Sequence, residues 1–133
     1  MISTKLFPID VNCPPAMVKA VKLIFICIGM SMAASIIDSV VYEGSGGSVV
    51  FQILISALYF LFPYFLLRGS DVARFLFVVV EGVSVALFVT SDLNMPPVTI
   101  DATYLQIPLM GFIFSHLFNT KCNEWVKNLK VNK

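Results

Sequence analysis

From Val49 to Leu67 the chain carries no charged side chain, and its apolar residues do not alternate with polar ones. A helix needs about 20 such residues to cross the hydrocarbon core of a bilayer, whereas a membrane barrel strand alternates and runs only about 9 to 11. Three further stretches are predominantly apolar and likewise lack alternation. Residues 17–37 open on Lys19 and Lys22, whose stems can lie along a helix while their ammonium groups reach the headgroups, and Asp38 closes them. Residues 72–90 carry Arg74 near their start and one internal charge, Glu81. Residues 104–120 run from Tyr104 to the point where the lysines begin. In lipid only a helix or a closed barrel bonds every backbone group, so the sequence predicts an all-α chain. The expected architecture is one domain: an integral membrane four-helix bundle with tails at 1–16 and 121–133.

Composition agrees. Charged residues make up 13% of the chain and the mean hydropathy is +0.88, whereas a soluble domain devotes about a quarter of its residues to charge. The natural solvent for such a surface is the lipid bilayer, the first partner expected. A net charge of +1 gives no reason to expect nucleic acid. Cys13, Cys27 and Cys122 are odd in number and lack metal-like spacing, so they read as free thiols. The links fit helices. Gly44, Ser45, Gly46 and Gly47 make a polar turn, and Gly69 and Ser70 make a tight one in which Asp71 would cap the next helix. Pro96 and Pro97 disfavour helix before Asp101. Residues 22–33 resemble a signal peptide, but the apolar run continues through Ile36 and Ile37 and a long proline-bearing segment precedes it. A retained first helix is the better reading.

Lysine and arginine stay on the cytoplasmic side. All nine fall in the N-terminal segment, in the region from Arg68 to Arg74, or in the C-terminal tail. The other two links hold Asp38, Glu43, Asp92 and Asp101. An even number of spans, N-in and C-in, is what alternates the links this way. Tyr104 and Trp125 would stand about 31 Å apart on a continuous helix, near one hydrocarbon thickness. Trp125, Val126 and Leu129 share a face of a possible last turn, which either lies on the headgroups or frays into solvent.

An intramembrane carboxylate is costly, which marks Glu81 as a candidate site. From the helical rise it sits about 10 Å from the cytoplasmic boundary, His116 about 7 Å, and Tyr59 and Ser31 about 13 Å. The four are expected to form one polar cluster, either a proton-linked or cation-binding site, or a structural hydrogen bond between helices of about 1 kcal/mol. Pro63 and Pro108 should kink or loosen their helices. Gly29 with Ala33 and Gly82 with Ala86 would permit close helix approach. The chain has no phosphate-binding glycine loop, no metal-ligand constellation, and no nucleophile with a base and orienter, so neither enzyme activity nor a cofactor is expected.

Three segments carry a likeness. They are Pro14-Pro15 with the basic run to Lys22, Arg68-Gly69-Ser70-Asp71-Val72-Ala73-Arg74, and Asn123-Glu124-Trp125-Val126-Lys127. In them the chain resembles a loose group of small uncharacterised bacterial inner-membrane proteins with four spans. That group often has tryptophan where Val72 stands. The resemblance implies a multi-pass protein of the cell inner membrane and no activity. The first functional expectation is an accessory protein that meets a membrane-protein partner, or a second copy of itself, through its helices; a membrane-embedded immunity protein is one case. The second is an oligomeric small transporter or channel using Glu81. In a cysteine-free background, a cysteine replacing Ser45 is expected to react with an impermeant maleimide added from the periplasm, and one replacing Ser70 to be spared. The opposite pattern refutes the orientation.

Overall fold

The computed structural model describes residues 12–41, 46–90 and 97–131. The regular structure of those residues is helical: α1 (Pro15–Val41), α2 (Gly46–Tyr59), α3 (Leu61–Leu67), α4 (Asp71–Thr90), α5 (Pro97–Leu117) and α6 (Thr120–Val131). Pro15–Val41, Asp71–Thr90 and Val98–Leu117 are long and apolar enough to cross a membrane, and Ile53–Leu67 is a shorter apolar helix. Of the polar turn expected over Gly44 to Gly47, Gly46 and Gly47 instead open α2, because the following apolar run extends its helix back to them; Gly44 and Ser45, and Asn94 to Pro96, lie outside the described residues.

The first helix is the spine. Its 27 residues span about 40 Å, and it touches α2, α3, α5 and α6, most extensively α5. It presents Met17, Val21, Ile24 and Ile28 to a core completed by Leu66, Phe77 and Ile113. These positions recur every three or four residues, so they share one face of the helix. The small-residue positions do not bring helices together. Among the described residues, no atom of another helix lies within 4 Å of where a Cβ on Gly29 or Gly82 would stand.

Proline acts differently in its two helices. Pro63 has no N–H to give the Tyr59 carbonyl, and the apolar helix is interrupted at Phe60, between α2 and α3. Pro108 removes the same bond from the Tyr104 carbonyl, yet α5 remains one helix through it.

The turn between α3 and α4 is closed by backbone chemistry. Gly69 takes a φ of 72°. Its N–H donates to the Leu66 carbonyl at 3.0 Å, and the Ser70 N–H donates to the Phe65 carbonyl at 3.1 Å. This is the paired-bond helix ending that favours glycine. Ser70, and not Asp71, caps α4: its Oγ accepts from the Ala73 N–H at 3.2 Å. Asp71 is left to bind Lys130 Nζ at 2.9 Å and Arg74 at 3.6 Å.

Helix α6 folds across this turn. A Cβ on Gly69 would collide with Leu129 and stand 3.3 Å from the Trp125 ring. Cys122, Trp125 and Val126 are buried in the core, so the apolar face of α6 meets protein in place of the headgroups or solvent that its sequence left open. Arg74, 2% exposed, fastens the corner. Its guanidinium lies over the Phe118 ring at 4.7 Å and donates to Asn123 Oδ1. Burial pushes the Cys122 thiol up, against a smaller opposing pull from Arg74. No disulfide joins Cys13, Cys27 and Cys122.

At the other end α1 continues past Asp38, which is 1% exposed. Its carboxylate accepts from the Val98 N–H at 3.2 Å, the Thr99 N–H at 2.8 Å and the Thr99 hydroxyl at 2.6 Å. The opening turn of a helix leaves such N–H groups without partners, and α1 supplies them across the interface. Pro97 at the first position has no N–H to satisfy, so proline begins α5 where its dipeptide had argued against helix. Replacing Asp38 with Ala is expected to destabilise the protein by about 1–2 kcal/mol, as loss of a helix cap does. Reversible unfolding in detergent checks this, and unchanged stability would show that the cap carries no weight.

Candidate functional site

The polar residues of the long helices converge on a cavity of about 250 Å³ between α1, α2, α4 and α5. Each helix contributes through its own periodicity. On α1, Cys27, Ser31 and Ser35 repeat every four residues, and on α5 Thr99, Thr103 and Gln106 fall four and three apart. Tyr59 enters from the last turn of α2, just before the interruption at Phe60. Glu81 and Ser84 enter from one face of α4, with Phe77 a turn before them.

Glu81 is 6% exposed and shares the cavity wall with the Tyr59 hydroxyl and Ser84. A phenol is a donor that a carboxyl accepts well, so α2 offers α4 a partner of the right chemistry. On the facing side Gln106 Nε2 donates to Ser31 Oγ at 2.8 Å and to the Cys27 carbonyl at 3.2 Å. Those two bonds tie α5 to α1.

Three of the four residues expected in one layer therefore line the same cavity: Glu81, Tyr59 and Ser31. His116 does not line it. Its Nδ1 lies 2.8 Å from the Phe112 carbonyl of its own helix and 3.4 Å from Ser115 Oγ. Depth along a helix axis placed His116 near the others, but the rotation of α5 turns Ile113 and Leu117 into the core and leaves His116 beside them. Arg74, on roughly the same face of α4 as Glu81, is engaged at the α6 corner.

Sequence reasoning missed Gln106, although a signal was present. It is an amide within an apolar run, on the helix face already marked by Thr99 and Thr103. The described residues contain no group of three or more His, Cys, Asp or Glu side chains placed to hold a metal ion. What the lining offers is one carboxyl, hydroxyls, an amide and aromatic rings, which suit reversible binding of a small polar molecule.

No family model matches the chain, and no curated protein or solved structure matches it. The class that the fold defines is an all-helical protein with three helices long and apolar enough to cross a membrane. Gln106→Leu removes both bonds to α1 and is expected to destabilise by about 0.6–1.7 kcal/mol, the range for hydrogen bonds between membrane helices. Unfolding in bicelles measures it, and a stability equal to the parent's would show that the pair does not hold α5 to α1.

Proposed function

We propose that this chain is a four-span protein of the cell inner membrane, N-in and C-in, that works as a small transporter or channel with Glu81 as its ligand-binding carboxyl. The cavity carries the reading. It lies among four helices, and a carboxyl, a phenol, hydroxyls and an amide face into a space of about 250 Å³. A purely structural glutamate needs a partner but no room beside it. Well-packed interiors contain few voids larger than a water molecule.

The distribution of charge supports the orientation. Lys19, Lys22 and Arg68 belong to the same end of the helices as Arg74 and the lysines of α6, while Asp38 and Asp101 stand at the other. A single-sided basic end is the arrangement that cytoplasmic retention of lysine and arginine selects. Helices α2 and α3 supply the remaining span, because Gly46–Leu67 is helical apart from Phe60. The accessory-protein reading draws on the broad exposed apolar face of α4, with Val79, Val83 and Leu87. A bilayer covers such a face as well as a protein partner does, so that reading stands second.

The test uses the full chain in proteoliposomes with an imposed pH gradient, challenged with a panel of small organic and inorganic cations. The parent protein is expected to dissipate the gradient with at least one of them, and Glu81→Gln to abolish the effect. No dissipation by the parent, or equal dissipation by the variant, overturns the proposal.

A further inference from the structure

The state of the hydrogen bonds around the cavity narrows what can occupy it. The Ser84, Thr99 and Thr103 hydroxyls and the Gln106 amide spend their hydrogens within the protein, while the Ser31, Ser35 and Ser56 hydroxyls also line the cavity. The Tyr59 hydroxyl faces the same cavity as Glu81. Ser84 donates to the Val80 carbonyl at 2.8 Å, and Thr103 donates to the Thr99 carbonyl at 2.8 Å. Thr99 donates to Asp38 at 2.6 Å. Gln106 gives both amide hydrogens to α1, which leaves its amide oxygen, an acceptor. Glu81 as a carboxylate has two oxygens and about four lone-pair sites, more than one phenol fills.

The described lining contains no lysine, arginine or histidine to face that carboxyl. A buried carboxyl either keeps its proton or pairs with a positive group, and a cation entering the cavity would supply that partner. A divalent metal ion is poorly served, because it demands several anionic or oxygen ligands and a single carboxyl is present. Aromatic side chains form another part of the wall. Phe77 is held edge-on by Phe62 at 5.3 Å and Phe114 at 6.2 Å, and Phe88 by Tyr104 at 5.2 Å. Ring faces of this kind attract an organic cation and accommodate its apolar body. The volume sets the size. A cavity of about 150 Å³ admits benzene. The present one, about 250 Å³, has room for a ring bearing a short ammonium arm.

We infer that the cavity binds a small monovalent organic ammonium, its N–H donors taken by Glu81 and the Gln106 oxygen and its apolar body set against Phe77 and Phe88. This rests on the ligand-binding reading of the cavity proposed above and specifies its substrate class. The N–H donors answer the acceptors, the single charge answers the single carboxyl, and the ring answers the aromatic wall. A carboxylate ligand would bring a second anion beside Glu81 and few donors for the acceptors waiting there.

The experiment is a fluorine NMR titration of the full chain in micelles, with protein-free micelles as the blank. The probes are para-fluorobenzylammonium, para-fluorobenzyl alcohol and para-fluorobenzoate. The ammonium is expected to bind at least about tenfold more tightly than the alcohol, the size of effect one charged hydrogen bond supplies, and the benzoate not to bind. In Glu81→Gln the ammonium preference is expected to vanish while alcohol binding persists, and in Glu81→Asp the preference is expected to remain. The comparison of the three probes on the unaltered protein stands even if the glutamine variant does not fold. Alcohol binding equal to ammonium binding, or a preference that survives Glu81→Gln, overturns the ammonium class and leaves a ligand-binding cavity in place. Absence of binding by all three probes overturns this inference and removes the support for the cavity reading itself.

Discussion

Long apolar segments must bond their own backbone N–H and C=O groups, and the rest of this structure follows from that constraint. The long segments answer it as helices, which bond their own backbone from end to end. Only helix ends and proline positions escape that closure, and there the chain supplies unusual partners. The Val98 and Thr99 N–H groups of α5 are bonded by Asp38 from α1. The end of α3 is closed by Gly69 and Ser70, and α4 opens on the Ser70 hydroxyl. The interruption at Phe60 falls where Pro63 withdraws a donor.

A few buried polar side chains connect the helices. Asp38 fastens α1 to α5 at one end, Gln106 fastens them in the middle, and Arg74 fastens α4 to the α5–α6 corner at the other. Each is mostly removed from solvent and each finds its partner on another helix. An apolar contact between two helices tolerates sliding, because Leu against Ile is much like Leu against Val. A bidentate carboxylate on two N–H groups tolerates little, so these few residues set rotation and register for the whole assembly.

The cavity is the exception to this economy. Around it the buried Glu81 and the Tyr59 phenol share a wall, with a space of about 250 Å³ beside them. Interiors are close-packed, and filling this space with a larger apolar side chain would be an easy route to stability. On the reading proposed above, this polar-lined void is where packing yields to binding. That contrast is why the cavity, and not the broad apolar exterior, bears the functional argument.

Much of the fold was legible before any coordinates. Apolar length located the stretches that became α1, α4, α5 and the α2–α3 pair, because hydropathy is a local property that survives any arrangement of neighbours. Glu81, Tyr59 and Ser31 were also findable, since depth along an axis follows from residue count. What counting cannot supply is rotation about that axis, and rotation is why Gln106 faces the cavity while His116 does not. Nor does local sequence reveal pairings across 60 or 75 residues, such as Asp38 with Val98 or Ser31 with Gln106. Sequence alone determined that the chain must be helical, where its apolar segments run and which end gathers the cations, because those follow from side-chain chemistry and backbone closure. Tertiary structure alone decided which face of each helix meets which neighbour, that α6 docks on Gly69, and that a cavity opens at Glu81. Those depend on how several surfaces fit at once, and no single segment encodes the shape of its partners.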